Sequence, residues 1–383
     1  MVCCALPEEV NVHDETKAIH IPTRRTNGSI APPIELSTTF EHGPAGEHLH
    51  GFEYIRDNNP NVSDLEARLA AVEGADGAIA FGSGMAAGAA VLSRLAPGSR
   101  VLFHKDLYFD FRKLAARILP NWGLHCDSVD LGDAAAREQA IAKGVDLVWF
   151  ETPSNPSIDV LDIETICREA KAVDAEVLVD GTFATPVVQR PLQLGADYVL
   201  HSLTKYMGGH SDVQGGSIAY KGGSSIGEEL AEKRRLTGGV LSPFNAWLIS
   251  RGLQTLYCRM DRHCANAQLV AEALDGMKEI AHVRYPWLPS HPSYDIARKQ
   301  MSSGGAMVSI ELEGGKEAAI RAASNVKLFV NATSLGGVES LIEHRASVEG
   351  PASTTSPSLL RLSIGLENAD DLTEDLRAAV GAT

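Results

Sequence analysis

Short apolar runs alternate with helical stretches through the first half of the sequence. The runs lie at 100–103, 145–150, 177–179 and 198–200, and residues 163–173 between two of them have helical periodicity. Such alternation is typical of a mostly parallel sheet whose strands are joined by helices. The sequence therefore predicts an α/β fold in which ligands bind beyond the carboxyl ends of the strands.

Turn residues and periodicity predict three units along the chain. Residues 1–60 are rich in turn formers and lack a sustained period, which is typical of an arm that wraps around a partner. We expect a large α/β domain over 61–250 and a smaller C-terminal α+β domain over 251–383. The first helix of the large domain is predicted to begin at the capping box Ser63-Asp-Leu-Glu66 and to end at Gly74.

Composition and charge narrow the classes of partner. The 383 residues are 44% hydrophobic and have a net charge of −15, which disfavours nucleic acid and anionic membrane surfaces. No segment approaches transmembrane length, and residues 1–9 lack the basic start of a signal peptide. The six cysteines occur without the spacing of a metal site. We therefore expect free thiols, no metal and a cytoplasmic location.

An aspartate and a lysine follow two neighbouring strands of the predicted sheet. Asp180 closes the apolar run 176–180, and Lys205 lies within His201-Ser-Leu-Thr-Lys-Tyr-Met-Gly-Gly-His210. A buried aspartate keeps the ring nitrogen of pyridoxal phosphate protonated, and a lysine supplies the amine that bonds to this cofactor. The amine must lose its proton to react, so we expect a lowered pKa for Lys205. The pair predicts chemistry at the α-carbon of amino acids.

A glycine-containing turn predicts a site for an anion. Gly82-Ser-Gly-Met85 follows the apolar run 78–81 and precedes a small-residue helical stretch at 86–92. Glycine lets backbone amides approach an anion closely, and a helix N-terminus adds a favourable dipole. The same residues also fit a dinucleotide fingerprint, with Asp106 as the ribose ligand. An NAD-dependent oxidoreductase is therefore an alternative, but it gives the aspartate and lysine pair no role.

Seven separated motifs follow one another along the chain. They are Tyr54-Ile-Arg-Asp-Asn-Asn-Pro60, Ser83-Gly-Met85, Glu151-Thr-Pro-Ser-Asn-Pro156, Val179-Asp-Gly-Thr-Phe183, Ser202-Leu-Thr-Lys-Tyr-Met-Gly-Gly-His-Ser-Asp212, Ser334-Leu-Gly-Gly-Val-Glu-Ser340 and Leu360-Arg-Leu-Ser-Ile-Gly365. In this order they resemble the cysteine/methionine metabolism family of fold type I pyridoxal phosphate enzymes, which includes cystathionine γ-lyase, cystathionine γ-synthase, cystathionine β-lyase and methionine γ-lyase. The resemblance runs from about Pro32 to Ala379. It implies the fold type I architecture and pyridoxal 5'-phosphate as cofactor.

The resemblance also implies which residues bind the cofactor. Two backbone amides and two hydroxyl groups are expected on its phosphate, together with a tyrosine and an arginine from a neighbouring subunit. The residues of the cofactor site are Gly84, Met85, Tyr54, Arg56, Tyr108, Asn155, Asp180, Ser202, Thr204 and Lys205.

Four of the matched residues are expected to act on the substrate. Lys205 and Tyr108 are the catalytic residues, with Tyr108 stacked on the cofactor ring and assisting proton transfer. Arg361 is expected to hold the α-carboxylate of the substrate, because a bidentate pair fixes which bond at the α-carbon is aligned for reaction. Ser334 is expected to position the amine of Lys205.

Two carboxylates depart from the family pattern. Asp110 lies about where methionine γ-lyases have a cysteine near the distal end of the substrate, and Glu349 lies where the family has Met-Thr-His. If both border the pocket, the substrate is expected to carry a cationic distal group, such as the guanidinooxy group of canavanine. The alternative is that they face solvent or pair with Arg112 and Arg345.

The predicted reaction is α,γ-elimination from a γ-substituted amino acid. A γ-replacement synthase, like cystathionine γ-synthase, shares the early steps, and cystathionine and methionine γ-lyases are further alternatives. The expected partners are a small amino-acid substrate and further copies of the same chain, which form a homo-oligomer. The resemblance implies a tetramer built of dimers that share active sites.

Overall fold

The computed structural model describes residues 12–20 and 28–382, and its strands form two sheets. The strands are β1 (Gly77–Phe81), β2 (Arg100–His104), β3 (His125–Val129), β4 (Leu147–Glu151), β5 (Glu176–Asp180), β6 (Tyr198–Ser202), β7 (Gly216–Tyr220), β8 (Ile280–Arg284), β9 (Met307–Leu312), β10 (Val330–Asn331), β11 (Leu341–Glu343) and β12 (Leu359–Ser363). The helices are α1 (Asp14–Ile19), α2 (Pro60–Glu73), α3 (Gly84–Leu92), α4 (Phe109–Arg117), α5 (Ala134–Ile141), α6 (Ile163–Lys171), α7 (Thr185–Val188), α8 (Ser224–Thr237), α9 (Pro243–Leu253), α10 (Leu256–Leu274), α11 (Tyr294–Gln300), α12 (Gly315–Asn325), α13 (Arg345–Glu349) and α14 (Ala369–Gly381).

The first sheet has seven strands in the order β1-β7-β6-β5-β4-β2-β3. Within it β7 runs antiparallel to both neighbours and the other pairs are parallel, so the predicted, mostly parallel α/β sheet is confirmed. Leu147 and Trp149 pack on one face, whereas Val148 and Phe150 pack on the other. Helices cover both faces, which explains why β4 is apolar at four consecutive positions.

The second sheet has five strands in the order β10-β11-β12-β9-β8. It packs against α10, α12 and α14 and forms the second sheet domain. Strands β11 and β12 are antiparallel, with Glu343 opposite Arg361. Directly opposed residues point to the same face, so this register brings the two side chains together. The predicted domain boundary at 251 lies within α9, and the three-unit division stays a prediction.

Helix α2 begins three residues before its predicted start. It begins at Pro60, and the side chain of Asn59 accepts a hydrogen bond from a backbone amide of the first turn. The predicted capping box at Ser63 is therefore wrong. Its glutamate, Glu66, accepts a hydrogen bond from a backbone amide of β1 instead. The predicted end is confirmed, because Gly74 has the left-handed φ of 62° that closes the helix.

Free thiols and the absence of a transmembrane segment were also predicted from the sequence. The cysteines in the described part of the chain are free thiols, and they are Cys126, Cys167, Cys258 and Cys264. Cys3, Cys4 and the start of the chain at 1–9 lie outside the described residues. None of the described helices combines the length and the apolar character needed to cross a membrane.

Candidate active site

A cavity of about 470 Å³ lies where the carboxyl ends of β4, β5 and β6 meet the loops of the second sheet. This is the edge at which open α/β sheets bind ligands. The structure brings most of the predicted site residues together here. Those that line the cavity are Gly84, Met85, Tyr108, Asp110, Asn155, Asp180, Ser202, Thr204, Lys205, Ser334, Glu349 and Arg361.

Tyr54 and Arg56 lie elsewhere. Tyr54 forms an isolated antiparallel bridge with Thr39 and is 42% exposed. The guanidinium carbon of Arg56 lies 5.4 Å from the centre of the Tyr54 ring. Neither residue is among those that line the cavity of its own chain. Their expected role in a neighbouring subunit stays a prediction.

The predicted anion site lies at the turn between β1 and α3. Ser83 caps α3 through its side chain, and the first amides of a helix have no partner within the helix. A Cβ added to Gly84 would lie 3.3 Å from the Cβ of Ser202, so the turn closely approaches the end of β6. A Cβ added to Gly216 would overlap the carbonyl oxygen of Ser83. This close packing places backbone amides and a hydroxyl group around one space, which suits a phosphate.

Asp180 lies on the floor of the cavity, at the end of β5. Its side chain is buried and accepts a hydrogen bond of 3.0 Å from the backbone amide of Thr182. Burial raises the pKa of Asp180. No described lysine or arginine forms an ion pair with it. A buried carboxylate in this setting is stabilised in its charged form by a cation, and the protonated ring nitrogen of pyridoxal phosphate fits that requirement.

Glu151 is a candidate site residue that the sequence analysis included only within a motif. It lies opposite Asp180 in the parallel pair β4 and β5 and is 2% exposed. Its Oε2 atom is buried without a hydrogen-bond partner among the described residues. Burial, and then the charge of Asp180, raise the pKa of Glu151 well above its usual value. The signal that was missed is a glutamate that ends a fully buried strand.

Lys205 lies just beyond β6 and reaches across the cavity to Ser334. The distance between Lys205 Nζ and Ser334 Oγ is 2.8 Å. Burial lowers the pKa of Lys205 to about 8, and the positive charges of Arg361 and Arg345 act in the same direction. The predicted lowering is therefore confirmed. Ser334 has a φ of 83°, a conformation that is strained for a residue other than glycine.

Arg361 is held in place by three acceptors. Its Nη1 donates to Asn155 Oδ1 at 3.0 Å, and its Nη2 donates to the backbone oxygen of Ser334 at 2.9 Å. Nη2 also lies 2.6 Å from Oε2 of Glu343. The side chain is 3% exposed. The same residue that contacts the Lys205 amine thus also fixes the guanidinium group expected to bind the substrate carboxylate.

Arg345 is a second arginine in the cavity and was not predicted as a site residue. It lines the cavity and lies between two buried carboxylates. Its Nη1 is 3.4 Å from Oε2 of Glu343, and its Nε donates to Oε1 of Glu349 at 3.1 Å. The signal in the sequence is the spacing of Arg345 and Glu349, which are four residues apart and face each other on α13.

Asp110 and Glu349, the two unusual carboxylates, both line the cavity but have internal partners. Oε2 of Glu349 accepts hydrogen bonds from Ser353 at 2.7 Å and from Thr355 at 2.9 Å, in addition to the ion pair with Arg345. Its side chain is 1% exposed. The structure therefore favours the alternative of internal pairing for Glu349.

Asp110 is more open than Glu349. Its side chain is 47% exposed and lies 3.0 Å from the amine of Lys113. The hydroxyl group of Tyr108 donates to Asp110 at 3.3 Å. Burial, and then the charge of Asp110, raise the pKa of Tyr108, which keeps its proton on the hydroxyl oxygen.

The chain is similar to enzymes of one family along nearly its whole length. The family model described as Cys/Met metabolism PLP-dependent enzyme matches residues 15–381. Cystathionine gamma-synthase of Mycobacterium bovis is 43% identical over 374 residues, with 96% of each chain covered. L-methionine gamma-lyase of Pseudomonas deceptionensis is 39% identical over 387 residues, with 96% of this chain and 97% of that protein covered. The crystal structure of metB from Corynebacterium glutamicum has a TM-score of 0.94 and 40% identity, and covers 97% of this chain and 98% of that one.

These similarities resolve the choice of cofactor. Asp106, the ribose ligand in the NAD-dependent alternative, is not among the residues that line the cavity. Its Oδ2 atom lies 3.9 Å from Nε2 of His104. The buried carboxylate, the anion site and the deprotonatable lysine fit pyridoxal phosphate instead, so the NAD-dependent alternative is wrong. With its motifs, its fold and its relatives in agreement, the chain belongs to the Cys/Met metabolism family of PLP-dependent enzymes, and its cofactor is pyridoxal phosphate.

Proposed function

We propose that this enzyme catalyses α,γ-elimination from a γ-substituted amino acid. The proposal rests on the position and the pKa of the Lys205 amine. Its Nζ lies 2.8 Å from Ser334 Oγ, and its pKa is lowered to about 8. A group that titrates this close to neutral pH can accept a proton at one carbon and give it up at another. Elimination at the γ-carbon needs such repeated transfer.

Different residues of the cavity act in different steps of the reaction. Bound pyridoxal phosphate supplies the electron withdrawal that makes the α-proton acidic. Lys205 takes the α-proton, gives it up to another carbon, and only then takes a proton from the β-carbon, while Arg361 holds the α-carboxylate. Tyr108 keeps its proton because its pKa is raised, so it can protonate the leaving γ-substituent. Hydrolysis then gives a 2-oxo acid and ammonia.

The test is a product assay with a panel of γ-substituted amino acids. We expect 2-oxobutanoate to form from methionine or an O-acyl homoserine in the absence of an added nucleophile. Mass spectrometry of the products identifies the departing group. Strict dependence of turnover on an added thiol would overturn the proposal.

A γ-replacement synthase is the second candidate. It is supported by the 43% identity to the cystathionine gamma-synthase of Mycobacterium bovis. Replacement shares the removal of the α- and β-protons and differs in the last step, because a nucleophile captures the γ-carbon. Competition between cysteine and water in the same assay separates the two reactions.

We also propose that the distal group of the substrate can be cationic, as in canavanine. Asp110 supports this, because it lines the cavity beside Tyr108 and is half exposed. Glu349 is not available to a substrate, since its oxygens already accept hydrogen bonds from Arg345, Ser353 and Thr355. The turnover of canavanine should fall relative to that of methionine in Asp110→Asn. An unchanged ratio would contradict a role for Asp110.

We propose, finally, a cytoplasmic homotetramer whose dimers share active sites. Tyr54 and Arg56 support it, because their own cavity does not include them. Mixing an Arg56→Ala chain with a Lys205→Ala chain should restore about a quarter of wild-type activity, since random pairing gives mixed dimers with one intact site. Absence of complementation, despite proven subunit exchange, would show that Arg56 acts within its own chain.

A further inference from the structure

Five charged side chains form a continuous series along the wall of the cavity, which we name the charge chain. In order they are Arg361, Glu343, Arg345, Glu349 and Arg112. Successive members have opposite signs, and their closest N–O distances are 2.6, 3.4, 3.1 and 4.0 Å. The first four are at most 8% exposed. The series runs from the middle of β12 to helix α4, and three of its members line the cavity.

The charge chain has one more positive charge than negative charge. Each of its two glutamates is shared between two arginines, because Glu343 lies between Arg361 and Arg345, and Glu349 lies between Arg345 and Arg112. An uncompensated charge is costly in a buried position. The extra charge belongs to Arg112, whose side chain is 26% exposed, so the four buried members are balanced among themselves. The two arginines at the cavity share Glu343, and a further anion can bind between them.

Two arginine nitrogen atoms are available for that anion. Nη2 of Arg345 and Nε of Arg361 make no hydrogen bond to any described residue. Both guanidinium groups contact the same atom, Oε2 of Glu343, at 3.4 and 2.6 Å. They are therefore close enough for the two oxygens of one carboxylate to accept from both, at hydrogen-bond lengths of about 2.9 Å.

We propose that Arg345 is the second arm of the site for the substrate α-carboxylate, with Arg361 as the first. This rests on the proposed function, because it takes the substrate to be an amino acid held for reaction at Lys205. The α-carboxylate uses the free nitrogen atoms of both arginines. No unpaired cation is then left on this wall for a second anion. The substrates are therefore γ-substituted amino acids whose distal group is neutral or cationic rather than anionic.

The test measures binding rather than turnover. L-norvaline has an α-carboxylate and no leaving group, and L-norvalinamide lacks the negative charge. Calorimetric titration of the holoenzyme with both ligands should show that Arg345→Gln weakens binding of L-norvaline about tenfold or more. Binding of L-norvalinamide should change less than about threefold. Arg298→Gln is the matched control, because Arg298 stacks on Trp287 and does not line the cavity, and it should change neither value.

Two results would overturn the proposal. An equal loss for the acid and the amide would mean that Arg345 acts only through the structure of the wall. No loss for either ligand would mean that Arg361 binds the carboxylate alone. Arg345→Lys keeps the charge and loses the planar fork, so it should give an intermediate loss for L-norvaline. If thermal melting shows that Arg345→Gln does not fold, the loss of L-norvaline binding in Arg345→Lys decides the test instead.

A kinetic comparison tests the consequence for substrate class. O-acetyl-L-homoserine and O-succinyl-L-homoserine differ in one distal carboxylate. We expect kcat/KM to be at least about tenfold higher for the acetyl compound. Equal or better use of the succinyl compound would contradict the assignment of Arg345 to the α-carboxylate. Failure of both compounds to react, with normal L-norvaline binding, would count against the proposed elimination and leave the assignment of Arg345 intact.

Discussion

The floor and the wall of the cavity treat charge in opposite ways. On the floor, Asp180 ends β5 and Lys205 follows β6. Burial raises the pKa of Asp180 and lowers that of Lys205, which favours the neutral form of each group. On the wall, opposite charges from the second sheet and from α13 lie in contact. The residues are Glu343, Arg345 and Arg361. The floor places an amine that gains and loses protons near a carboxylate that awaits a cation, whereas the wall suits groups that keep a fixed charge and orient a ligand.

The largest expected effect is the loss of the proton carrier on the floor. Lys205→Ala should lower kcat by about a thousandfold or more, because no other described lysine contacts Ser334 in the cavity. Steady-state assays of the purified holoenzyme measure this. Lys299→Ala, on an exposed pair with Glu164, is the control and should leave kcat unchanged. If Lys205→Ala kept a tenth of the activity, the distinction between floor and wall would fail.

The buried wall should contribute more to stability than the exposed pair of Asp110 and Lys113 at the mouth of the cavity. Glu349→Ala leaves Arg345 with one carboxylate and removes the acceptor of Ser353 and Thr355, so it should lower the free energy of unfolding by about 3–5 kcal/mol. Asp110→Ala breaks a pair that is 47% exposed and should cost less than about 1 kcal/mol. Urea unfolding followed by circular dichroism compares the two. Similar losses would show that the wall is not a compensated buried network.

The smallest expected effect is a change in pH dependence that links the two regions. The neutral amine of Lys205 reacts with pyridoxal phosphate, so the rate at which the apoenzyme regains its cofactor should rise with pH, with a midpoint at about pH 8. The charge of Arg345 lowers this pKa, and Arg345→Gln should therefore move the midpoint to higher pH. Stopped-flow absorbance across a pH series measures it. A wild-type midpoint near the ordinary lysine value of 10.5 would contradict the burial of the amine.

The floor could be predicted from the sequence because its residues directly follow apolar runs. The period of β5 and β6 locates Asp180 and Lys205, and the motif around Gly84 locates the anion site. Glu151, which lies opposite Asp180, was missed as a site residue. The start of α2 was displaced, because Asn59 and Pro60 cap the helix better than the predicted box at Ser63.

The wall could not be predicted in the same way. The contact between Glu343 and Arg361 depends on the register of β11 and β12, which are short strands that come together only in the folded sheet. Arg345 joins them because α13 begins two residues after Glu343. Glu349 was predicted as a ligand for the substrate, since nothing local reveals that Ser353 and Thr355 fold back onto it.

The most direct test of the account is the identity of the lysine that holds the cofactor. Reduction of the holoenzyme with borohydride fixes pyridoxal phosphate to the amine that carries it, and mass spectrometry of the peptides then locates the added mass. We expect a single label on Lys205, and its loss in Lys205→Ala with folding retained. A label on another lysine, such as Lys113 at the mouth of the cavity, would contradict the assignment of the floor.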